Sequence, residues 1–106
     1  FCLNTVYLIG HLGADPEQLP IEDKIGVKFK IATNETFYKR GDDGKVGEPQ
    51  TKTEWHTIKA FGQNAKYALG NIRKGDAVFI RGRMHYHEYR REDDNIRGRN
   101  PEVIAL

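Results

Sequence analysis

The chain has 106 residues and a mass of 12.2 kDa, enough for one hydrophobic core without a metal or disulfide staple, and a single cysteine, Cys2, excludes an intrachain disulfide. Hydrophobic residues are 38% and charged residues 30% of the total, and no apolar run approaches the roughly 18 residues of a membrane-spanning helix. The net charge of +2 is too small to argue for a polyanion partner, but residues 1–35 carry a net of −2 whereas residues 52–91 carry nine Lys or Arg against three acids, so a positive field is expected on the second half.

The chain starts at Phe1 without a charged-then-apolar leader and stops at Leu106, so any targeting segment or tail is expected to have been removed or to lie outside it. Residues 5–12 read as a strand, mostly apolar on both faces and expected to be central, ended by the turn Gly13-Ala14-Asp15-Pro16. Val27, Phe29 and Ile31 alternate with Lys28 and Lys30, the pattern of a half-buried strand with a solvated lysine face. The stretch 39–52, with Gly41, Gly44, Gly47 and Pro49, reads as a long hairpin loop, and a strand follows over 53–61.

The period then changes. Ala65, Ala68, Leu69 and Ile72 stand at i, i+3, i+4 and i+7, one apolar stripe of a short helix. Asn64 is its expected cap, Arg73 and Lys74 its basic last turn, and Gly75 its stop. A strand from Val78 runs to a second turn-rich stretch over 90–100, and Gly98, Asn100 and Pro101 leave 102–106 as the clean part of a last strand. No internal repeat or low-complexity block interrupts the series. The expectation is a single domain over 1–106, mainly β: a five-stranded OB-fold barrel with one short helix between strands 3 and 4.

Faces carry more than connectivity. In 53–61, His56, Ile58 and Ala60 form the face that can be core, because Lys59 unpaired in a core is costly; Trp55 and Phe61 then point outward beside that lysine. In the next strand Val78, Ile80 and Met84 share the core face, and Phe79, Arg81, Arg83, His85, His87, Tyr89 and Arg91 share the other. Rings interleaved with cations on a solvent face suit single-stranded nucleic acid, whose bases stack on aromatics and whose phosphates pair with Lys and Arg. For any one ring the alternatives are packing under a loop, a cross-strand pair or a subunit contact, and Phe79 is left open between packing and stacking.

Other chemistries are disfavoured. Asp42, Asp43, Asp93 and Asp94 sit in turn-rich stretches where solvated charge is the ordinary reading. There is no phosphate-binding Gly loop, no nucleophile constellation and no metal-ligand motif, so neither catalysis nor a cofactor is expected. His85 and His87 lack the Cys or carboxylate companions of a zinc site and are expected to flank a phosphate path. No helix-turn-helix, zinc finger or basic helix suggests a duplex partner.

Asn4-Thr-Val-Tyr-Leu-Ile-Gly-His-Leu-Gly-Ala-Asp-Pro-Glu17, Ile31-Ala-Thr-Asn-Glu35, Thr53-Glu-Trp-His56 with Phe61-Gly62, and Arg73-Lys-Gly75 before Val78-Phe-Ile-Arg-Gly82 together resemble the bacterial and mitochondrial single-stranded DNA-binding proteins over almost the whole chain. The resemblance implies an OB-fold homotetramer that wraps single-stranded DNA in replication, recombination and repair, with replication proteins as possible partners, little sequence preference and no catalysis. It places the stacking aromatics at Phe37, Trp55, Phe61 and Tyr89; many relatives carry Trp where Phe37 and Tyr89 stand. Tyr38, Lys39, Arg40, Lys59, Arg73, Lys74, Arg81, Arg83 and Arg91 complete the expected site, and His56 falls at a subunit contact, against a hydrogen-bonded histidine within the fold. The long 39–52 stretch, Tyr86-His87-Glu88-Tyr89 and the lack of an acidic tail resemble mitochondrial members more than those of the bacterial cytoplasm. The alternative is an OB-fold accessory module that binds RNA or a partner protein.

Overall fold

The computed structural model describes residues 1–42, 44–90 and 97–106. Its elements are β1 (Val6–Leu12), β2 (Glu17–Gln18), β3 (Gly26–Arg40), β4 (Val46–Phe61), α1 (Gln63–Asn71), β5 (Ala77–Arg90) and β6 (Arg97–Ala105). They join one sheet in the order β1-β5-β6-β4-β3-β2, and a further pairing of β1 with β3 closes it. Apart from the two-residue β2, five long strands form the barrel with the helix between the third and fourth, the expected OB connectivity.

Alternation decides what the barrel encloses. Val27, Phe29 and Ile31 of β3, Ile58 and Ala60 of β4, Ile80 of β5, Val103 of β6 and Leu12 of β1 meet Ala65 and Ala68 of α1 in a continuous core. Ile31, Ile58 and Val27 are fully buried, and each such side chain contributes about 1.5–3 kcal/mol through loss of apolar surface to water. Closure depends on Gly10, where a Cβ would lie 2.5 Å from the Ala32 carbonyl oxygen. A side chain there would push β1 off β3.

Four expectations change. The stretch 39–52 is largely strand: β3 runs to Arg40 and β4 starts at Val46, paired nearly throughout, with Tyr38 opposite Pro49. Among the described residues, 33–40 and 46–54 have no ladder partner except each other, so they form a two-stranded arm with open edges, where a proline's missing N–H costs no ladder bond. The last strand likewise begins at Arg97, with Pro101 opposite Tyr86. Pairing of β6 with β4 is confined to Val103 and Ile104, and Pro101 again falls where one edge is open.

The helix starts two residues earlier than the Asn64 cap implies. Gly62 is the N-cap, at φ 64°, without a side-chain cap, and Asn64 lies in the first turn. The helix ends at Asn71, so Arg73 and Lys74 follow it rather than fill its last turn, and Gly75 turns at φ 89° beyond the Ile72 C-cap. Arg73 still serves the helix end, because its Nη1 donates to the Leu69 and Ile72 carbonyls at 2.8 Å each. In β1 the second apolar face is not covered within the chain: Tyr7 and Ile9 are exposed although β1 pairs with both β5 and β3.

Candidate nucleic-acid interface

Residues opposite each other in a ladder share a face, so register assembles the site. Ala32 faces Trp55, Lys30 faces Thr57 and Lys28 faces Lys59. The solvated lysine face of β3 therefore continues the aromatic face of β4 around the outside of the barrel. Trp55 is 56% and Phe61 36% exposed, as the alternation required. An open cleft of about 420 Å³ lies at the Trp55 ring, lined also by Gly13, Asp15, Lys28 and Lys30.

Gly13 sets the pose of that ring. A Cβ at this position would stand 2.6 Å from Cζ3 and 2.8 Å from Cη2 of the indole, well inside van der Waals contact. The turn residue after β1 thus gives Trp55 the room to lie where it does. In the sequence Gly13 is a turn former and Lys28 and Lys30 are solvated charge; the lysine alternation is visible there, but only register aligns it with Trp55.

Lys59 has a partner that the sequence did not name. Its Nζ lies 2.9 Å from Glu102 Oε2, and His85 Nδ1 lies 2.8 Å from Glu102 Oε1. Lys59 of β4, Glu102 of β6 and His85 of β5 form a charged bridge across three neighbouring strands. Glu102 is 6% exposed and the Lys59 side chain 19%, so the bridge is packed into the sheet surface. Burial alone would push the Glu102 carboxyl up, but hydrogen bonds and charge from Lys59 and His85 outweigh it and hold the group below the usual carboxylate value.

The other expected residues are distributed as follows. Arg81 and Arg83 are exposed on β5, opposite Tyr7 and Ile104 respectively. Phe37, half-buried, stands opposite Gln50 on the arm, about 17 Å along β3 from the partner of Trp55. By alternation it falls on the side of Ile31 rather than that of Trp55. Tyr38, Lys39 and Arg40 are exposed at the end of the arm. Arg73 and Lys74 are exposed in the α1–β5 turn, where Lys74 N donates to Asp15 at 2.7 Å. Tyr89 takes its place on β5 opposite Gly98. Arg91 lies outside the described residues, as do Asp43, Asp93 and Asp94. His56 is half-buried, with Nε2 2.8 Å from Thr33 Oγ1 across the ladder.

Phe79 is neither core nor isolated. It is 62% exposed and stacks on Tyr7 of β1, with ring centroids 5.9 Å apart and planes 25° apart. Ile9, directly opposite Phe79 and 70% exposed, extends an apolar patch on the β1–β5 side of the barrel. Two surfaces with different chemistry therefore occupy the outside: a basic and aromatic one on β3–β4, and an apolar one on β1–β5.

Known proteins resemble the chain in sequence and in fold. The chain is 35% identical over 107 aligned positions to the mitochondrial single-stranded DNA-binding protein of Rattus norvegicus, covering 97% of this chain and 70% of that protein. It is 40% identical over 97 positions to single-stranded DNA-binding protein 1 of Chlorobaculum tepidum, covering 91% and 55% respectively. Among solved structures, a Plasmodium falciparum SSB in complex with ssDNA superposes with a TM-score of 0.83 at 27% identity, over 99% of this chain and 88% of that one. The sequence model of the single-strand binding protein family matches residues 3–106; the chain belongs to that family.

Proposed function

We propose that this chain binds single-stranded DNA with little sequence preference, by stacking bases on outward rings and pairing phosphates with the basic residues around them, and so protects exposed strands during replication, recombination and repair. The observation that carries this reading is the exposed Trp55 ring seated over Gly13 beside Lys28 and Lys30. A base stack of this kind contributes roughly 1–3 kcal/mol and accepts any base, because every base has a π-face. Phe61 extends the surface along β4, Tyr38, Lys39 and Arg40 are assigned to its continuation at the end of the arm, and Phe37, Tyr89 and Arg91 are assigned to binding on the family resemblance. Lys28 and Lys30 join the assignment. Lys59, held by Glu102, contributes chiefly through that bridge.

Titration with oligo-dT tests the reading. Strong quenching of Trp55, with log K falling by about 0.7 per neutralised phosphate as log salt rises, is expected; unchanged fluorescence at low salt would sink it. Competition between DNA and RNA of the same length separates this reading from an RNA-binding accessory module.

The apolar patch of Tyr7, Ile9 and Phe79 supports assembly of the chain into a homotetramer, because soluble monomers seldom leave such rings uncovered. Relatives from mitochondria and from a bacterium support both addresses, and the mitochondrial one is preferred on the Tyr86-His87-Glu88-Tyr89 segment of β5. The chain is not assigned a catalytic role: the proteins it resembles are named for binding DNA.

A further inference from the structure

We infer that His85 is a proton-gated phosphate contact, with Glu102 as the positioning residue that sets the gate; the role rests on the single-stranded DNA reading above. The position comes first. His85 shares the outer face with Lys59 across β6, since Arg83 faces Ile104, His85 faces Glu102 and Lys59 faces Ile104. Trp55 and Glu102 line one cleft of about 150 Å³ between β4 and β6. Glu102 of the bridge thus borders the same cleft as the ring on which a base would stack, and His85 stands next to it on the outer face, open to the phosphates of a strand bound there.

The chemistry follows from which nitrogen is engaged. A carboxylate is an acceptor only, so the 2.8 Å contact with Glu102 Oε1 requires the proton of a neutral His85 to sit on Nδ1. Nε2 then carries a lone pair. It has no protein partner among the described residues, and the side chain is 44% exposed. A lone pair turned toward solvent repels a phosphate oxygen, which is also an acceptor. When the ring takes a proton from water at Nε2, with Nδ1–H still donating to Glu102, the same atom becomes a charged donor and can bond phosphate. Binding of the strand and uptake of one proton then favour each other.

The groups facing the ring are few. From β5 itself come Arg83 and His87, two positions to either side; from β6 comes Glu102; from β4 comes Lys59, which shares that carboxylate. Lys59 and Glu102 balance each other in charge, so the proton on His85 adds a second positive charge to that of Arg83. His87 shares the alternating face without a comparable carboxylate partner among the described residues, and it is the natural control.

The test is oligo-dT binding read by Trp55 quenching at fixed salt across about pH 5 to 8, the range in which imidazoles change charge. Wild type should bind roughly tenfold tighter at the acid end than at the alkaline end, the effect of one charge-assisted hydrogen bond. His85→Gln should lose most of that rise and His87→Gln should keep most of it. The salt slope at the acid end should be about 0.7 steeper in wild type than in His85→Gln. A direct readout on the wild-type chain avoids any folding defect: in imidazole-detected NMR, oligo-dT should raise the pH at which His85 Nε2 is protonated. Identical pH profiles for wild type and His85→Gln, or a His85 titration that oligo-dT does not move, would overturn the role while leaving DNA binding intact. Absence of quenching at every pH would instead reject the DNA reading, and this role with it.

Discussion

Trp55 is the single tryptophan of the chain, so its emission reports its own site without interference. Trp55→Ala should weaken oligo-dT binding by about 1–3 kcal/mol, measured by a competition or mobility-shift assay, and leave the melting temperature nearly unchanged because the ring is 56% exposed. Gly13→Ala is expected to act on the same site from beneath: the new methyl cannot coexist with the present indole pose, so affinity should fall and Trp55 emission shift with the far-ultraviolet circular dichroism preserved. Glu102 behaves differently, as an acid whose folded state holds it below its ordinary value. Its stabilising contribution is complete above the unfolded carboxylate range and is lost as pH falls through the lower folded value. Melting temperature should therefore drop more steeply below about pH 4 in wild type than in Glu102→Gln, which thermal melts across pH would show. Glu102→Ala at neutral pH should cost about 1–3 kcal/mol, because Lys59 is left 19% exposed without its acceptor.

Among the elements, the arm of β3 and β4 separates stability from binding. Its residues pair with each other and contribute nothing to the buried cluster, which lies at Val27, Phe29, Ile31, Ile58 and Ala60. Replacing residues 36–51 by a short turn should leave the melting temperature within a few degrees of wild type and weaken oligo-dT binding, with a salt slope reduced by about 0.7 for each phosphate contact removed. Equal losses of stability and affinity would show that the arm is structural. Its strand character was hard to see because Gly41, Gly44, Gly47 and Pro49 depress strand propensity locally, whereas the ladder depends on a partner strand being in register. The helix stripe was legible by its period, but its ends were not: Gly62 caps it by backbone conformation, which no side chain announces.

At the scale of the whole molecule, the barrel divides its outer surface between two chemistries. The β1–β5 side presents Tyr7, Ile9 and Phe79 to solvent, and the β3–β4 side presents Trp55 among lysines. If the proposed assembly uses this patch, Phe79→Arg should lower the mass measured by light scattering at micromolar concentration, with weaker effects on Trp55 quenching by oligonucleotides too short to reach a second subunit. A mass equal to that of one chain in the wild type would instead assign the apolar patch another partner.

The alternation of apolar and polar residues was sufficient to place rings and cations on the outer faces of the strands, because side-chain period follows directly from backbone geometry and the desolvation cost of charge, and the order of strands and helix pointed to the barrel. It separated Trp55 and Phe61 from Ile58 and Ala60 without any knowledge of neighbours. Only the tertiary structure decided which outward residues stand together. Lys28 meets Lys59 through ladder register, Gly13 meets the Trp55 ring through barrel closure, and Glu102 reaches Lys59 and His85 because β6 enters between β4 and β5. Such contacts join residues far apart in the chain, and a local pattern contains no information on which distant strand will supply the partner.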